Sequence, residues 1–116
     1  MAFYTEERPW GHYEVLQDTP TFKVKRIHVE PGKRLSLQMH AKRDELWTIV
    51  GGEGFMDLDH LKLNVCYGDT IDIRRGQKHR IMNTGSEPLV YIEVQTGEYF
   101  GEDDIERYQD DFGRVN

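Results

Sequence analysis

The sequence predicts an all-β domain, a sandwich or barrel, and three observations predict it. Apolar and polar residues alternate with a period of two over many short segments, turn residues with glycine separate those segments, and helical periodicity is almost absent. Evenly spaced short strands with glycine punctuation describe a two-sheet or closed antiparallel fold. At 116 residues the chain has room for one core, so residues 1–116 are expected to form a single domain.

The elements follow in order. The aromatic-rich segment Phe3 to Leu16 precedes the main strands and is expected to pair with a neighbouring subunit's sheet in a homodimer. Phe22 to Glu30 reads as a strand whose apolar positions change phase between Val24 and Ile27, as at a bulge or a change of environment. After Pro31-Gly32, the residues Arg34, Ser36, Gln38 and His40 share parity and would point one way, a polar row where a core row would be apolar. Such a row either faces solvent or lines a wet pocket. Glu45–Val50, Gly54–Leu58, Leu61–Cys66, Thr70–Ile73 and Arg80–Asn83 are further expected strands, separated by Gly51-Gly52, Gly68-Asp69 and Arg75-Gly76. Beyond Thr84-Gly85, Leu89–Gln95 is the clearest strand, with Val90, Ile92 and Val94 on one face and the half-polar row Leu89, Tyr91, Glu93 and Gln95 on the other. Acids at the start of Glu102–Tyr108, and Ile105 and Tyr108 three apart, predict a short C-terminal helix. Trp10 and Trp47 read as packing residues.

Composition narrows the class. An apolar fraction of 37% is low, but 11% aromatic residues and the repeated alternation argue for a folded domain. No segment resembles a leader and no run approaches the roughly 20 apolar residues that span a bilayer, so a cytoplasmic location without a membrane partner is expected. Cys66 is the one cysteine; it can form no internal disulfide, agrees with a reducing compartment, and reads as a buried strand residue. Of the net charge of −6, all but one unit belongs to the tail from Glu98 onward. Basic residues elsewhere lack an interleaved aromatic platform, which argues against nucleic acid and for a small anion.

Gln38, His40, Glu45 and His79 carry the chemistry. An amide, two imidazoles and a carboxylate suit one divalent metal ion, and strands ending at one barrel mouth would bring them together. Zinc is the first choice, with manganese, cobalt, nickel or iron compatible. Arg34 and Ser36, further along the same row, would supply a guanidinium and a hydroxyl to a phosphate, with Lys25 joining from the adjacent strand. Arg43 and Arg80 are expected in rim salt bridges, and His12, His28 and His60 have no assigned role.

The spacing is also recognisable. Gly32, five residues, Gln38, one residue, His40, four residues, Glu45 and then Gly52 resembles the first cupin motif. Gly68, five residues, Arg74-Arg75-Gly76, two residues, His79, three residues and Asn83 resembles the second. The resemblance implies a cupin-type double-stranded β-helix, a jelly-roll sandwich. Gln38 stands where the broad pattern has histidine and Arg74 where it has proline. A narrower resemblance runs through Arg8-Pro9-Trp10-Gly11, Leu35-Ser36-Leu37-Gln38-Met39-His40, Glu45, Trp47, Ile92-Glu93-Val94-Gln95, Gly101-Glu102-Asp103-Asp104-Ile105, Arg107 and Gly113-Arg114. It is similar to the type II mannose-6-phosphate isomerase domain, which often follows a mannose-1-phosphate guanylyltransferase domain. No nucleotidyltransferase portion is expected in these residues. Ala41, Lys42 and Leu46 stand where such domains commonly carry further histidines.

The resemblance implies a metal-dependent aldose–ketose isomerase interconverting mannose 6-phosphate and fructose 6-phosphate. A Lewis acid would stabilise negative charge on oxygen while a base moves a proton between C1 and C2. Glu45 is a candidate base, Glu93 another. The resemblance also implies a role for Arg114, folded over the mouth, in positioning substrate or stabilising charge. A non-catalytic sugar-binding or sensory cupin and an iron-dependent dioxygenase are the alternative readings; the phosphate-type basic residues favour the isomerase.

Overall fold

Antiparallel pairing organises all of residues 4–114, the part of the chain described by a computed structural model. The strands are β1 (Tyr4–Arg8), β2 (Gly11–Asp18), β3 (Phe22–Val29), β4 (Leu37–Met39), β5 (Arg43–Gly51), β6 (Glu53–Leu58), β7 (Leu61–Cys66), β8 (Thr70–Ile73), β9 (His79–Asn83), β10 (Leu89–Gly97) and β11 (Glu106–Gln109). They form a six-stranded sheet ordered β1-β2-β3-β10-β5-β8 and a five-stranded sheet ordered β11-β4-β9-β6-β7. The core packs between them around Trp10, Tyr13, Trp47, Ile49, Met56, Ile81 and Tyr91.

The helix expected over Glu102–Tyr108 is absent; the chain there turns and then pairs as β11 with β4. A seven-residue helix would be marginal alone, whereas the exposed edge of the three-residue β4 offers backbone partners. The Asp104 carboxylate also accepts hydrogen bonds from the amides of Ala41 (3.0 Å) and Lys42 (2.9 Å), which ties the segment down.

The N-terminal hairpin pairs within its own chain, β1 to β2 and β2 to β3; Phe3 lies outside the described residues. Gly11 is required here, because a Cβ would stand 2.0 Å from the carbonyl oxygen of His28. The phase change read in β3 has a simple cause: Lys23 and Lys25 point inward with Ile27 and Val29. The register shift sits on the paired strand β2, between Val15 and Gln17. On β10, too, the half-polar row Leu89, Tyr91, Glu93 and Gln95 is the buried one. Inner rows are therefore apolar at one end and polar at the other, and the polar end is the pocket. Cys66 lies on β7 as expected but is exposed rather than buried, because β7 is the sheet edge and its side chain faces out.

Candidate metal centre and anion pocket

Register sets the floor of the pocket. Gln38 of β4 stands opposite His79 of β9, while Glu45 of β5 stands opposite Gln95 of β10 on the facing sheet. His40 follows β4 directly. His40, Glu45 and His79 are all buried, and a ligand atom from each lies within 4.8 Å of the others. His40 Nε2 and Glu45 Oε2 are 3.4 Å apart, about the edge of a tetrahedron around an ion with bonds of about 2.1 Å.

Tautomers complete the fit. His40 Nδ1 lies 2.6 Å from the Asp104 carbonyl oxygen and His79 Nδ1 lies 3.1 Å from that of Gln77. A carbonyl only accepts, so both Nδ1 atoms carry the proton and both Nε2 atoms keep a lone pair, that of His40 accepting from Arg43 Nη2 at 3.3 Å. Burial lowers the His40 imidazole to about 4 and lowers His79 too, so both rings are neutral near pH 7. Gln38 donates its amide nitrogen to Ser36 Oγ at 3.2 Å, leaving its carbonyl oxygen as the atom it can offer.

The carboxylates of the pocket are driven apart. Burial pushes Glu45 up, but Arg43, His40 and His79 outweigh it and hold the carboxyl at about 2. Trp47 Nε1 donates to Glu45 Oε1 at 2.9 Å and Arg43 Nε to Oε2 at 2.8 Å. Glu93 goes the other way: burial first, and then the negative charge of Glu45, raise it to about 7. One group stays ionised and the other sits poised to exchange a proton near neutrality.

The expected phosphate residues divide. Ser36 and Lys25 line the pocket, Lys25 pairing with Glu102 at 2.7 Å and lying over the Tyr13 ring. Arg114 also reaches the pocket, steadied by Asp110 at 2.7 Å. Arg34 does not; it makes a two-pronged pair with Asp111 outside, at 2.7 and 2.8 Å. The parity argument fails for Arg34 because strand geometry is interrupted at Leu35 and Ser36, between its isolated bridge to Met82 and β4. Arg43 and Arg80 are both buried, not on the rim: Arg43 shares the inward face of Glu45, and Arg80 Nε donates to the Leu35 carbonyl at 2.9 Å.

Residues 2–110 match the Mannose-6-phosphate isomerase C-terminal family. The chain belongs to that family. It is 45% identical over 109 residues to the alginate biosynthesis protein AlgA of Pseudomonas syringae pv. tomato, covering 94% of this chain and 23% of that protein. It is 41% identical over 107 residues to a mannose-1-phosphate guanylyltransferase of Klebsiella pneumoniae, covering 92% of this chain and 23% of that one. The chain thus spans about a quarter of the length of these relatives. A conserved Klebsiella pneumoniae protein with a double-stranded β-helix domain superposes with a TM-score of 0.73 at 24% identity, over 83% of this chain and 82% of that chain. This isomerase-family domain is a cupin-like double-stranded β-helix.

Two arginines of this isomerase-family domain escaped the sequence reading. Arg8, on β1, and Arg107, on β11, both line the pocket, and Arg107 stands opposite Gln38. Among the described residues Arg107 forms no ion pair, and its Nε is buried without a hydrogen-bond partner. Burial, and then the charge of Arg114, lower its pKa. The signal was present as Arg107 in the resemblance, but a helix reading of 102–108 gave it no face.

Proposed function

We propose that this domain is a metal-dependent isomerase interconverting mannose 6-phosphate and fructose 6-phosphate. The observation that carries the reading is one pocket lined by two chemically different sets of side chains. His40, Glu45 and His79 present a cation site, with Gln38 beside them, and Arg8, Lys25, Arg107 and Arg114 present a cationic wall. A sugar phosphate has oxygens for the first and a dianion for the second.

His40 Nε2, His79 Nε2, Glu45 Oε2 and the Gln38 carbonyl oxygen would hold the ion, with zinc the first choice for two imidazoles and a carboxylate. When bound, the ion supplies Lewis-acid stabilisation of negative charge on the sugar's C1 and C2 oxygens. Glu45, held low and occupied at both oxygens, serves as ligand and not as base. Glu93 takes the proton role: Gln95 Nε2 holds its Oε2 at 2.6 Å, leaving Oε1 to accept a proton from one carbon and return it to the next. Arg107, without a carboxylate of its own, receives the phosphate, and Arg114 and Ser36 help to orient it. Trp47, stacked on Tyr91 with ring centroids 4.3 Å apart, holds Glu45 in place.

A homodimer is part of the proposal. The outer face of β5 and β10 carries Leu46, 47% exposed, and Val50, 44% exposed, beside the half-buried Val90, Ile92 and Val94. An apolar patch is compatible with itself about a two-fold axis, and the charges that flank it, Arg26 opposite Ile92 and Asp72 opposite Leu46, are of opposite sign, so a second copy of this chain is its partner.

The test is turnover of mannose 6-phosphate by zinc-loaded protein, with His79→Ala as the control that loses both zinc and activity. Full metal occupancy without conversion of any hexose phosphate would refute the isomerase reading.

A further inference from the structure

We propose a second cation site, formed by His12, Glu14 and His28 on the outer face of the six-stranded sheet, that takes a divalent transition-metal ion of the zinc or copper class. It stands independently of the isomerase reading, since none of the three residues lines the pocket.

Strand pairing builds the site. His12 on β2 and His28 on β3 are directly opposite in register, and Glu14 lies two residues along β2 on the same face. The two imidazoles stack with centroids 4.2 Å apart and planes 16° apart. His28 Nε2 lies 2.7 Å from Glu14 Oε1, and one ligand atom from each residue falls within 4.8 Å of the others. All three are half-buried, so the donors are held by the sheet and remain reachable.

The donor set suits the ion. Two imidazoles and a carboxylate are a preferred set for zinc and copper, and three protein ligands leave a position for water. Arg26 hydrogen-bonds both Glu14 oxygens at 2.6 Å, fixing the carboxylate in the way an outer partner orients a metal ligand. With His28 it keeps Glu14 ionised, at about 2. A surface ion pair accounts for Glu14 and Arg26. It does not account for two imidazoles stacked at cross-strand positions, one of which, His12, has no side-chain hydrogen bond among the described residues. Binding needs the neutral His28 ring to carry its one proton on Nδ1, so that Nε2 exchanges its contact with Glu14 for the metal bond with no net loss of a proton from the ring.

Zinc binding to the full chain, followed by equilibrium dialysis with elemental analysis at neutral pH, tests the proposal. The wild type should hold two equivalents, His12→Ala and His28→Ala one each, and His79→Ala should keep the equivalent that His28→Ala loses. Zinc should also shift the ring nitrogen signals of both His12 and His28 in NMR spectra of the wild type, which keeps the test valid if a variant folds poorly. A stoichiometry unaffected by His12→Ala and His28→Ala, or ring signals of His12 and His28 that zinc leaves in place, would overturn it.

Discussion

The Nδ1 of His40 lies 2.6 Å from the backbone carbonyl oxygen of Asp104, 64 residues further along the chain. That contact joins the tail to the floor of the pocket. It fixes which imidazole nitrogen keeps a lone pair, so in the proposed metal site the C-terminal segment would orient a ligand without supplying one.

Asp104→Ala should therefore weaken metal binding although it removes no ligand. Its carboxylate caps two amides, those of Ala41 and Lys42, and without it the tail is no longer held against His40. We expect zinc affinity to fall roughly tenfold or more and folding stability to drop by about 1–2 kcal/mol. Competition with a chelator measures the first and urea titration of the metal-free protein the second.

Arg107 and Arg34 should separate cleanly in kinetics. Losing a charge-assisted contact to phosphate costs about 1.5–3 kcal/mol, so Arg107→Leu should raise KM for the sugar phosphate by roughly tenfold to a hundredfold. Arg34→Ala breaks a partly exposed pair with Asp111, should cost no more than about 1 kcal/mol of stability, and should leave KM unchanged. Equal effects from the two variants would place the phosphate elsewhere.

Glu93 gives a pH signature in the metal-free protein. Its folded value of about 7 exceeds the ordinary 4.5, so the fold holds this proton more tightly than the unfolded chain does. Below pH 4.5 both states are protonated and nothing is lost; as pH rises to 7 the unfolded chain ionises first and stability drains away. Glu93→Gln removes that loss. It should stabilise the metal-free protein by about 2–3 kcal/mol at pH 8 and by nearly nothing at pH 4, read from urea midpoints, while abolishing isomerase turnover with zinc still bound.

Leu46→Asp should shift the chain towards monomer in sedimentation velocity. A charge introduced at a two-fold patch meets its own copy, and like-charge repulsion adds to the cost of desolvating both carboxylates. The fold should be unaffected, since Leu46 faces outward. A wild type that sediments as a monomer at all concentrations would refute the dimer.

Alternation and turn residues were enough to place most strands. Leu61–Cys66 and Thr70–Ile73 match their expected bounds, and β3, β6, β9 and β10 differ by one or two residues. Side chains alternate strictly along an extended chain, so local sequence carries this information directly. The cupin-like spacing pointed to Gln38, His40, Glu45 and His79, and the structure draws the three ionisable members together, because they close the ends of strands that must pair. The tail was misread for a different reason: acids and an i, i+3 pair fit a helix locally, but the open edge of β4 offered hydrogen bonds that no local pattern records.

By itself, then, the sequence determined the strand periodicity, the turns and the residue types offered to the proposed cation site, because these are fixed by short-range geometry and residue chemistry. Only the tertiary structure decided which face of each strand lies inside. It turned the half-polar row of β10 and the basic end of β3 inward, sent Arg34 out to Asp111 and brought Arg107 in beside Gln38. The physical reason is that inside and outside are properties of the assembled fold: Lys25 is buried where Glu102 of the tail pairs with it at 2.7 Å, and Glu93 where Gln95 donates to it at 2.6 Å.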